Sequence, residues 1–502
     1  MTCYLIPIGG TGVRVMKSIV YLCMAGCFDG IQFKVMCVDS DEVNGDIKEL
    51  QTLLKEYNEV PHDLFPEIKL NTINGKENCV WSPLSDNGLS TRSKMRDMVR
   101  ESSMEKDAKD ILHFLYTDEE LDKVLEGGFY GHTSIGSYFV SRQVTHDNAY
   151  SDVWKDFFDG AKADDKVFII GSVFGGTGAS GVPTISRLIK ENSVTSSLPI
   201  GAVFVMPYFK PKDNDDELSK LPIDWSTFTT KAKTALSFYL NQNFDKIFSR
   251  MYFIGEDTNR FMWVENNDCG EKQHNKANPI EVYAATSLID FLNENVGDDF
   301  VTKFMSMEQA ANGQKLLTQK MLNEICDSHC FDKISDFLKF SIIYTKYLYP
   351  CIKEEYSAEK WYKEYNIKGN DNDAEALLKM CSNYLEWIKE LLVKNDSNGR
   401  LNEEDEDNDL IWFHYKQYKV LYDGEPLKAA GKAGFLQKHN RYNLEELDNI
   451  TAIQKDYISD KTGSTIIIDF ANDFAPKSKH AHNNGVSNLK RLKIDMINAI
   501  KK

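Results

Sequence analysis

The sequence predicts an α/β protein with a doubly wound, mostly parallel sheet and a helical insertion, followed by a mainly helical C-terminal region. Short runs rich in Val, Ile and Phe, each bounded by turn residues, alternate with helical patterns through the first 300 of the 502 residues. Two of these runs lead into glycine-rich turns. Beyond residue 300, apolar residues recur at a helical period among many aromatic and acidic side chains.

The chain opens with a βαβ unit. Residues 3–8 (CYLIPI) predict a strand, residues 9–12 (GGTG) a turn, residues 13–26 an apolar helix and residues 33–39 (FKVMCVD) a second strand. The segment 44–126 then becomes polar and charge-rich and has no strong strand signal. We expect this segment to be a helical insertion.

Three further apolar runs predict strands that are buried on both faces. They are KVFIIGSV (166–173), LPIGAVFVMP (198–207) and RMYFIGED (250–257). A long, half-buried helix is predicted over 278–297, with Asn278 as its N-cap and a proline in its first turn. These elements predict one domain that ends near residue 300.

The remaining residues, 301–502, predict a second domain that is helical or α+β. Its charged run at 395–409 (NDSNGRLNEEDEDND) is typical of a solvated acidic loop. One late strand is predicted at 464–470 (STIIIDF), and the basic sequence at 488–502 predicts a final helix.

Charge and composition exclude several classes of partner. The net charge of −17, from 59 basic and 76 acidic side chains, disfavours broad binding to nucleic acid or to an anionic membrane surface. The N-terminus lacks a basic region before its apolar run, and no 18 apolar residues follow one another. We therefore expect a cytoplasmic protein without a transmembrane segment, in which the cysteines are reduced.

One cluster of cysteine and histidine residues could hold a metal ion. Cys326, His329 and Cys330 lie on one face of a predicted helix, but the sequence offers no fourth ligand. An ordinary helix face is the simpler interpretation.

The second glycine turn points to the binding of an anion. Between a buried strand and a helix the chain has Gly175, Gly176, Gly178 and Gly181, with hydroxyl residues interleaved. Such a turn either allows close backbone packing or presents N–H groups and a helix N-terminus to phosphate oxygens. The interleaved hydroxyls favour phosphate, although packing alone stays an alternative.

Two common nucleotide motifs fit poorly. The string G-x-x-x-x-G-K-[ST] is absent, which excludes a Walker-type phosphate loop. A dinucleotide-binding motif could start at Gly10 and Gly12, with Asp39 as the ribose-binding acid, but Val15 stands where the third glycine belongs. An NAD(P)-binding enzyme is therefore a weaker alternative.

Seven segments, in order, resemble the tubulin/FtsZ superfamily of GTP-binding proteins. IGGTG resembles the first nucleotide loop, FKVMCVDSDEVN the second strand with its acidic loop, and GGFYGHTSIGSYFV the loop that senses the γ-phosphate. FIIGSVFGGTGASG is similar to the G-G-T-G-[ST]-G loop, with one residue departing from it. GAVFVMPYF and RMYFIGED resemble the ribose-contacting strand and the strand before the base-binding loop. NPIEVYAATSLIDF resembles the central helix of a divergent bacterial branch of tubulin-like proteins.

This resemblance implies a guanine nucleotide, GTP or GDP with Mg²⁺, across the carboxyl ends of the strands. The implied contacts to the α- and β-phosphates are Gly9, Gly10, Thr11, Gly12, Gly175, Gly176, Thr177, Gly178, Ala179 and Ser180. The implied γ-phosphate contacts are Gly131, His132 and Thr133. Asp41, and after it Asp39, would hold Mg²⁺ through water. Pro207 would contact the ribose, and the base would contact Glu256, Asp257, Asn259, Asn278 and Tyr283.

Several of these residues also have structural interpretations. The two aspartates, Asp39 and Asp41, could cap a loop, and His132 could be a surface side chain. Tyr283 could be core packing. Glu281, three residues after the predicted N-cap, favours a capping box over a ligand.

The resemblance also implies a function that depends on assembly. In the family, acidic residues just beyond the central helix complete the nucleotide site of the neighbouring subunit, and Asp298 and Asp299 would be the catalytic residues here. Their spacing departs from the family pattern. The expected function is a GTP-binding, filament-forming protein that hydrolyses GTP between subunits. The alternative is a nucleotide-gated scaffold without hydrolysis, whose C-terminal region binds a protein partner.

Overall fold

Parallel strands form the centre of the molecule. The computed structural model describes residues 1–41, 44–73, 76–84, 94–125, 129, 132–145, 152–211, 227–255, 262–264, 274–293, 299–306, 308–309, 315–316, 330–355, 360–392 and 486–501. Its strands are β1 (Thr2–Ile8), β2 (Gln32–Val35), β3 (Cys37–Val38), β4 (Ile68–Leu70), β5 (Thr72–Ile73), β6 (Lys76–Glu77), β7 (Val80–Trp81), β8 (Lys166–Ser172), β9 (Ile200–Val205), β10 (Phe209–Pro211), β11 (Arg250–Gly255), β12 (Met262–Val264), β13 (Val301–Ser306), β14 (Glu308–Gln309) and β15 (Lys315–Leu316).

Helices cover the sheet and build the C-terminal region. The α-helices are α1 (Gly9–Met24), α2 (Gly45–Glu59), α3 (Met95–Met98), α4 (Lys106–Leu115), α5 (Asp118–Leu121), α6 (Thr133–Thr145), α7 (Asp152–Phe157), α8 (Gly176–Glu191), α9 (Phe228–Tyr239), α10 (Pro279–Asn293), α11 (Cys330–Ile343), α12 (Tyr349–Lys353), α13 (Lys360–Tyr365), α14 (Asn372–Leu392) and α15 (Asn488–Lys501). Short 3₁₀ turns occur at Glu101–Ser103 and Phe244–Lys246, and a π-helical turn occurs at Tyr344–Leu348.

The main sheet is doubly wound and parallel, as predicted. Its order is β13-β11-β9-β8-β1-β2-β4, with β3 pairing with β1 and β7 pairing with β3, all in parallel. From β1 the chain builds outward through β2 and β4, and then returns to build outward from β8 on the other side. The topological switch point therefore lies between β1 and β8, where ligands bind in sheets of this class.

Helices lie on both faces of this sheet. Strand β9 shows this clearly, because a Cβ added at Gly201 would meet Phe291 of α10, whereas the ring of Phe204 packs against Tyr239 of α9. Positions three apart on a strand face opposite sides. Helix α8 lies on the α9 side, since a Cβ at Gly171 would meet it, while α1 packs against α10.

The structure differs from the sequence prediction in two places. The segment 44–126, expected to be helical, also supplies β4 and β7 to the sheet. These strands have three and two residues, too few to give a periodic signal. The sheet also extends past residue 300, because β13 pairs with β11 along its whole length.

The C-terminal helices share one core with the sheet. A single hydrophobic cluster runs from Cys3 in β1 to Ile500 in α15. Trp387 of α14 stacks on Tyr21 of α1, with ring centroids 4.8 Å apart. Helices α11 to α15 confirm the prediction that the C-terminal region is mainly helical. The predicted acidic loop at 395–409 and the predicted strand at 464–470 lie outside the described residues.

Candidate functional site

The two glycine turns follow the two strands that flank the switch point. Helix α1 begins at Gly9, directly after β1, and α8 begins after Gly175, just beyond β8. Neither helix has a side-chain N-cap or an acidic residue in its first turn. The first N–H groups of both helices thus point their partial positive charge toward the same edge of the sheet.

The two turns are in contact. Gly9 has a φ of +74°, and a Cβ added to it would lie 3.2 Å from the backbone nitrogen of Gly178 and 3.4 Å from Cβ of Thr177. Only glycine combines this left-handed backbone with so close a neighbour. The two turns therefore form one continuous, backbone-lined surface.

Close packing explains some of these glycines, but not all of them. A Cβ at Gly12 would meet the carbonyl oxygen of Ile170 at 2.7 Å, and one at Gly181 would meet Ile8 at 2.8 Å. Gly10 and Gly175 are half-exposed. A Cβ at Gly10 would meet nothing nearer than Arg14 at 3.7 Å, whereas one at Gly175 would meet the hydroxyl of Ser172 at 2.9 Å. The half-exposed pair is where a ligand could reach the turns.

A third helix begins beside them. Position Gly136, in the first turn of α6, packs against the carbonyl oxygen of Gly176 and the hydroxyl of Ser180. The hydroxyl of Ser180 donates to the carbonyl oxygen of Gly176 at 2.7 Å, so its proton stays within α8, where Ala179 is also buried. Thr133 is the first residue of α6, and Gly131 lies outside the described residues.

His132 sits at the start of this third helix between opposite charges. Lys123 donates to its Nε2, and its Nδ1 lies 3.5 Å from Glu120. Burial, the charge of Lys123 and, more weakly, that of Lys231 lower the pKa of His132 against the opposing effect of Glu120. The ring is therefore neutral near pH 7.

Two buried aspartates follow β3 at the same edge. Asp39 and Asp41 are 5% and 3% exposed, and the backbone N–H of Asp41 donates to the Asp39 carboxylate at 3.2 Å. Burial raises the pKa of Asp39 to about 7, against hydrogen bonds from the backbone N–H groups of Asp41 and Ser40 and from Thr177, while the charge of Asp41 adds a smaller rise. Asp39 thus contacts the second glycine turn directly through Thr177.

Arg14, which was not identified from the sequence, links α1 to α2 and α10 through buried ion pairs. From the second turn of α1, its guanidinium contacts Glu281 at 2.7 Å, Asp46 at 3.1 Å and the hydroxyl of Tyr208 at 2.8 Å. It also donates to the hydroxyl of Thr11 at 3.3 Å. The only signal in the sequence is a cation within the apolar helix pattern VRVMKSIV.

Asp46 keeps its charge within this network. Burial alone would raise the pKa of Asp46, but Lys17, Arg14 and hydrogen bonds from Asn275 outweigh burial and hold the pKa below its ordinary value. The network therefore ties α1, α2 and the segment before α10 together through charged groups that are almost fully buried.

The residues expected near the base and ribose have mainly structural contacts. Asn278 caps α10, because its side chain accepts from Ile280, and Glu281 accepts the Asn278 backbone N–H at 3.0 Å to complete a capping box. Tyr283 is 4% exposed within the core, and Pro207 is buried just after β9. Glu256, Asp257 and Asn259 lie outside the described residues.

Asp299 lies at the opposite, amino edge of the sheet. It precedes β13 and is exposed, and its carbonyl oxygen accepts from Arg250, the first residue of β11, at 2.7 Å. Helix α10 connects the two edges. It begins beside Arg14 and ends where Lys166, the first residue of β8, donates to the carbonyl oxygen of Phe291 at 2.9 Å. Asp298 lies outside the described residues.

The described residues do not bring together a further set of metal ligands. Those ranges contain no set of three His, Cys, Asp or Glu side chains that could hold a metal. Cys330 lies with its sulfur 3.4 Å from that of Cys27, whereas Cys326 and His329 are outside the described residues. In the described part of the chain, no helix combines the length and apolarity needed to cross a bilayer.

Comparison with known proteins shows distant structural likeness only. No protein family model matches the chain, and no curated protein matches it. Among solved structures, CetZ from Methanosaeta thermophila strain DSM 6194 is similar at 13% identity, with a TM-score of 0.27, over 59% of this chain and 57% of that one. This chain thus spans little more than half the length of CetZ. The likeness concerns overall architecture only, and membership of the tubulin/FtsZ superfamily stays a proposal.

Proposed function

We propose that the protein binds a guanine nucleotide at the switch point, with the phosphates clasped between the two glycine turns. The contact between Gly9 and the Thr177–Gly178 backbone carries this proposal, because it joins the uncapped N-termini of two helices into one anion-binding surface. Backbone N–H groups can neutralise phosphate charge without a lysine, which suits a chain of net charge −17.

The aspartates beside the turns suit Mg²⁺. Asp39 and Asp41 offer the hard carboxylate oxygens that this ion prefers, and it keeps most of its water. Between them, the hydroxyl of Ser40 is buried and has no hydrogen-bond partner within the described residues, so it is open to a ligand or a water. When bound, Mg²⁺ would neutralise phosphate charge, and it would also favour the ionised form of Asp39.

The base would be read by residues from the loop after β11 and the start of α10. Glu256, Asp257 and Asn259 are the proposed readers, and the family resemblance is the support for guanine over adenine. Asn278 supports this site by capping α10, and Tyr283 contributes by packing in the core of the same helix. Arg14 positions Thr11 in the first turn rather than contacting phosphate itself.

We further propose that copies of the chain stack head to tail and hydrolyse GTP at their interface. The glycine turns lie at the carboxyl edge of the sheet and the exposed Asp299 lies at its amino edge, and the seven residues of β8 separate these two edges by about 20 Å. A contact between unlike edges generates filaments when its rotation does not close into a ring. In such a stack, Asp298 and Asp299 of one copy would orient the attacking water at the nucleotide of the next.

Two measurements test these proposals in order. Nucleotide released from the purified protein by denaturation should be identified by mass as GTP or GDP, whereas NAD(P) would support the dinucleotide-binding alternative. Assembly is then followed by pelleting and electron microscopy with GTP and with GDP. Filaments with GTP support stacking. Tight binding of GTP without assembly or turnover at high protein concentration would instead support the scaffold.

A further inference from the structure

Two cysteine thiols that are distant in the sequence meet beside the end of α1. The sulfur of Cys27 lies 3.4 Å from the sulfur of Cys330, and one thiol donates a hydrogen bond to the other. Both side chains are free thiols, with exposed fractions of 7% and 0%. The structure thus gives Cys330, which the sequence marks as a possible metal ligand, a second cysteine as its neighbour.

Both cysteines lie where an element ends. Cys27 belongs to the turn after α1, between Gly26 and Gly30, which both have a positive φ. Cys330 is the first residue of α11. A disulfide bond needs its sulfurs about 2.05 Å apart, so this pair has to close from 3.4 Å by about 1.4 Å. A turn and a helix end can shift by that distance with less disturbance than the middle of a strand can.

Positive charge lies beside the pair. The Nζ of Lys333, in the first turn of α11, donates to the carbonyl oxygen of Gly26 at 3.0 Å, and Gly26 is the neighbour of Cys27 in the chain. The first N–H groups of α11 add the partial positive charge of a helix N-terminus. Both features favour the thiolate, which is the form of cysteine that reacts with oxidants.

The thiolate is nevertheless scarce near neutral pH. The hydrogen bond with Cys330 and burial raise the pKa of Cys27 well above its ordinary value. The charge of Lys333 opposes this rise, and the charge of Asp29 adds to it. Burial also raises the pKa of two neighbouring groups, Cys23 on α1 and Tyr384 on α14. Oxidation of the pair should therefore be slow near pH 7 and faster as the pH rises.

We propose that Cys27 and Cys330 form a disulfide bond when the folded protein meets hydrogen peroxide. One thiolate attacks the peroxide, becomes a sulfenic acid and releases hydroxide, which takes up a proton to give water. The second cysteine loses its proton and attacks the sulfenic sulfur, so that the S–S bond forms and the remaining oxygen leaves as a second water. Two thiols and one peroxide thus give one disulfide and two waters. A small oxidant suits a pair that is almost fully buried.

The disulfide joins the C-terminal helices to the end of α1 by a covalent bond. Helix α11 packs on α14, where the hydroxyl of Tyr384 donates to the carbonyl oxygen of Ile334 at 3.1 Å. The two cysteines are 303 positions apart, and a disulfide that closes a longer loop restricts the unfolded chain more. The sixteen residues of α1 place the pair about 24 Å from Gly9, so the inference does not rest on the proposed function.

The experiment uses the full-length protein in its folded state. The protein is fully reduced, freed of reductant, treated with hydrogen peroxide, alkylated and digested without reduction, and its peptides are identified by mass. We expect the peptides of Cys27 and Cys330 to be recovered mainly as one linked pair. The rate of linkage should rise about tenfold per pH unit from about pH 7 to about pH 9, whereas a cysteine of ordinary pKa would level off near about pH 8.5.

Thermal unfolding measures what the bond does to the molecule. Oxidised wild-type protein should melt at least about 3 °C above the reduced protein, and a dithiol reductant should reverse this change. Cys27→Ser and Cys330→Ser should each remove the linked peptide and the rise in melting temperature. Cys381→Ala is the matched control, because it replaces a buried cysteine of α14 that bonds to Ser341, and it should keep both effects. Circular dichroism shows whether each variant folds, and the wild-type peptide map decides if one does not.

Three results would overturn the inference. The first is that peroxide yields no linked Cys27–Cys330 peptide from folded wild-type protein. The second is that the linkage forms only in urea, where the folded contact is lost. The third is that oxidation links Cys37 to Cys79 instead, a second pair whose side chains bond to one another.

Discussion

Charged side chains are buried and paired at one edge of the central sheet and arranged differently at the other. At the carboxyl edge, the charged groups Arg14 and Asp46 are buried and pair with one another around glycine turns that expose backbone N–H groups. At the amino edge, Lys166 and Arg250 instead hold backbone carbonyl oxygens, and the Asp299 side chain is exposed. In the proposed function, the first edge receives an anion and the second presents an acid, which is the asymmetry that head-to-tail stacking requires.

The largest effect should come from breaking the buried network at the carboxyl edge. Arg14→Met removes the guanidinium that pairs with both Asp46 and Glu281, whose side chains are 0% and 2% exposed. We expect a loss of about 3–5 kcal/mol in the free energy of unfolding, measured with urea. The matched variant Lys155→Met removes a cation whose partner Asp152 is 94% exposed, and should lose less than about 1 kcal/mol. Equal losses in the two variants would contradict this account of the edge.

The second effect is a dependence of stability on pH that originates at Asp39. Its pKa is about 7 when folded and about 4 when unfolded, so between these values the folded state binds the extra proton. This group therefore makes stability fall as pH rises through that window. Asp39→Asn should remove the loss, gaining about 3 kcal/mol relative to wild type between about pH 5 and about pH 8. Urea denaturation at both pH values tests this, and a constant difference between the proteins would refute it.

The third prediction concerns the contact between the turns. Gly9→Ala places a methyl group against Gly178, and we expect the affinity for guanine nucleotide to fall about a hundredfold, or about 2.7 kcal/mol. Gly30 is the matched control, since its φ is +82° and no atom lies within 4 Å of an added Cβ. Gly30→Ala should lose about 1–2 kcal/mol of stability through backbone strain and keep its nucleotide affinity. Titration of both variants with a fluorescent GTP analogue measures the difference.

The fourth prediction concerns the amino edge. Asp298→Ala combined with Asp299→Ala should leave nucleotide affinity within about twofold of wild type and lower GTP turnover at least about tenfold. Mixing this variant with Gly9→Ala is the sharper experiment. Each alone should turn over GTP more slowly than wild type, yet a mixed interface joins the intact glycine turns of one to the intact acids of the other. Recovered turnover supports stacking, and its absence with both proteins folded argues against it.

Local features of the fold could be predicted from the sequence, whereas contacts between distant residues could not. The strands around the switch point and the glycine turns have strong local signals, because buried parallel strands are continuous apolar runs and left-handed turns need glycine. The N-cap at Asn278 is equally local. The Arg14 network is different, since Glu281 lies 267 residues away and nothing near Arg14 indicates its partners.

Two short strands of the sheet and the packing of the C-terminal helices could not be predicted for the same reason. Strands β4 and β7 are held by backbone pairing with β2 and β3 and contain too few residues for a periodic pattern. The helical period of the apolar residues after residue 300 predicted the helices there correctly. That α14 would cover α1 depends on packing that no single segment encodes.

The most direct test of the central claim is the structure of the protein with GDP and Mg²⁺ bound, determined by crystallography. The account predicts that the phosphate oxygens accept hydrogen bonds, at about 2.9 Å, from backbone N–H groups of both turns, at Gly10–Gly12 and at Gly176–Gly178. Phosphates bound to one turn alone, or at any other place on the molecule, would contradict it.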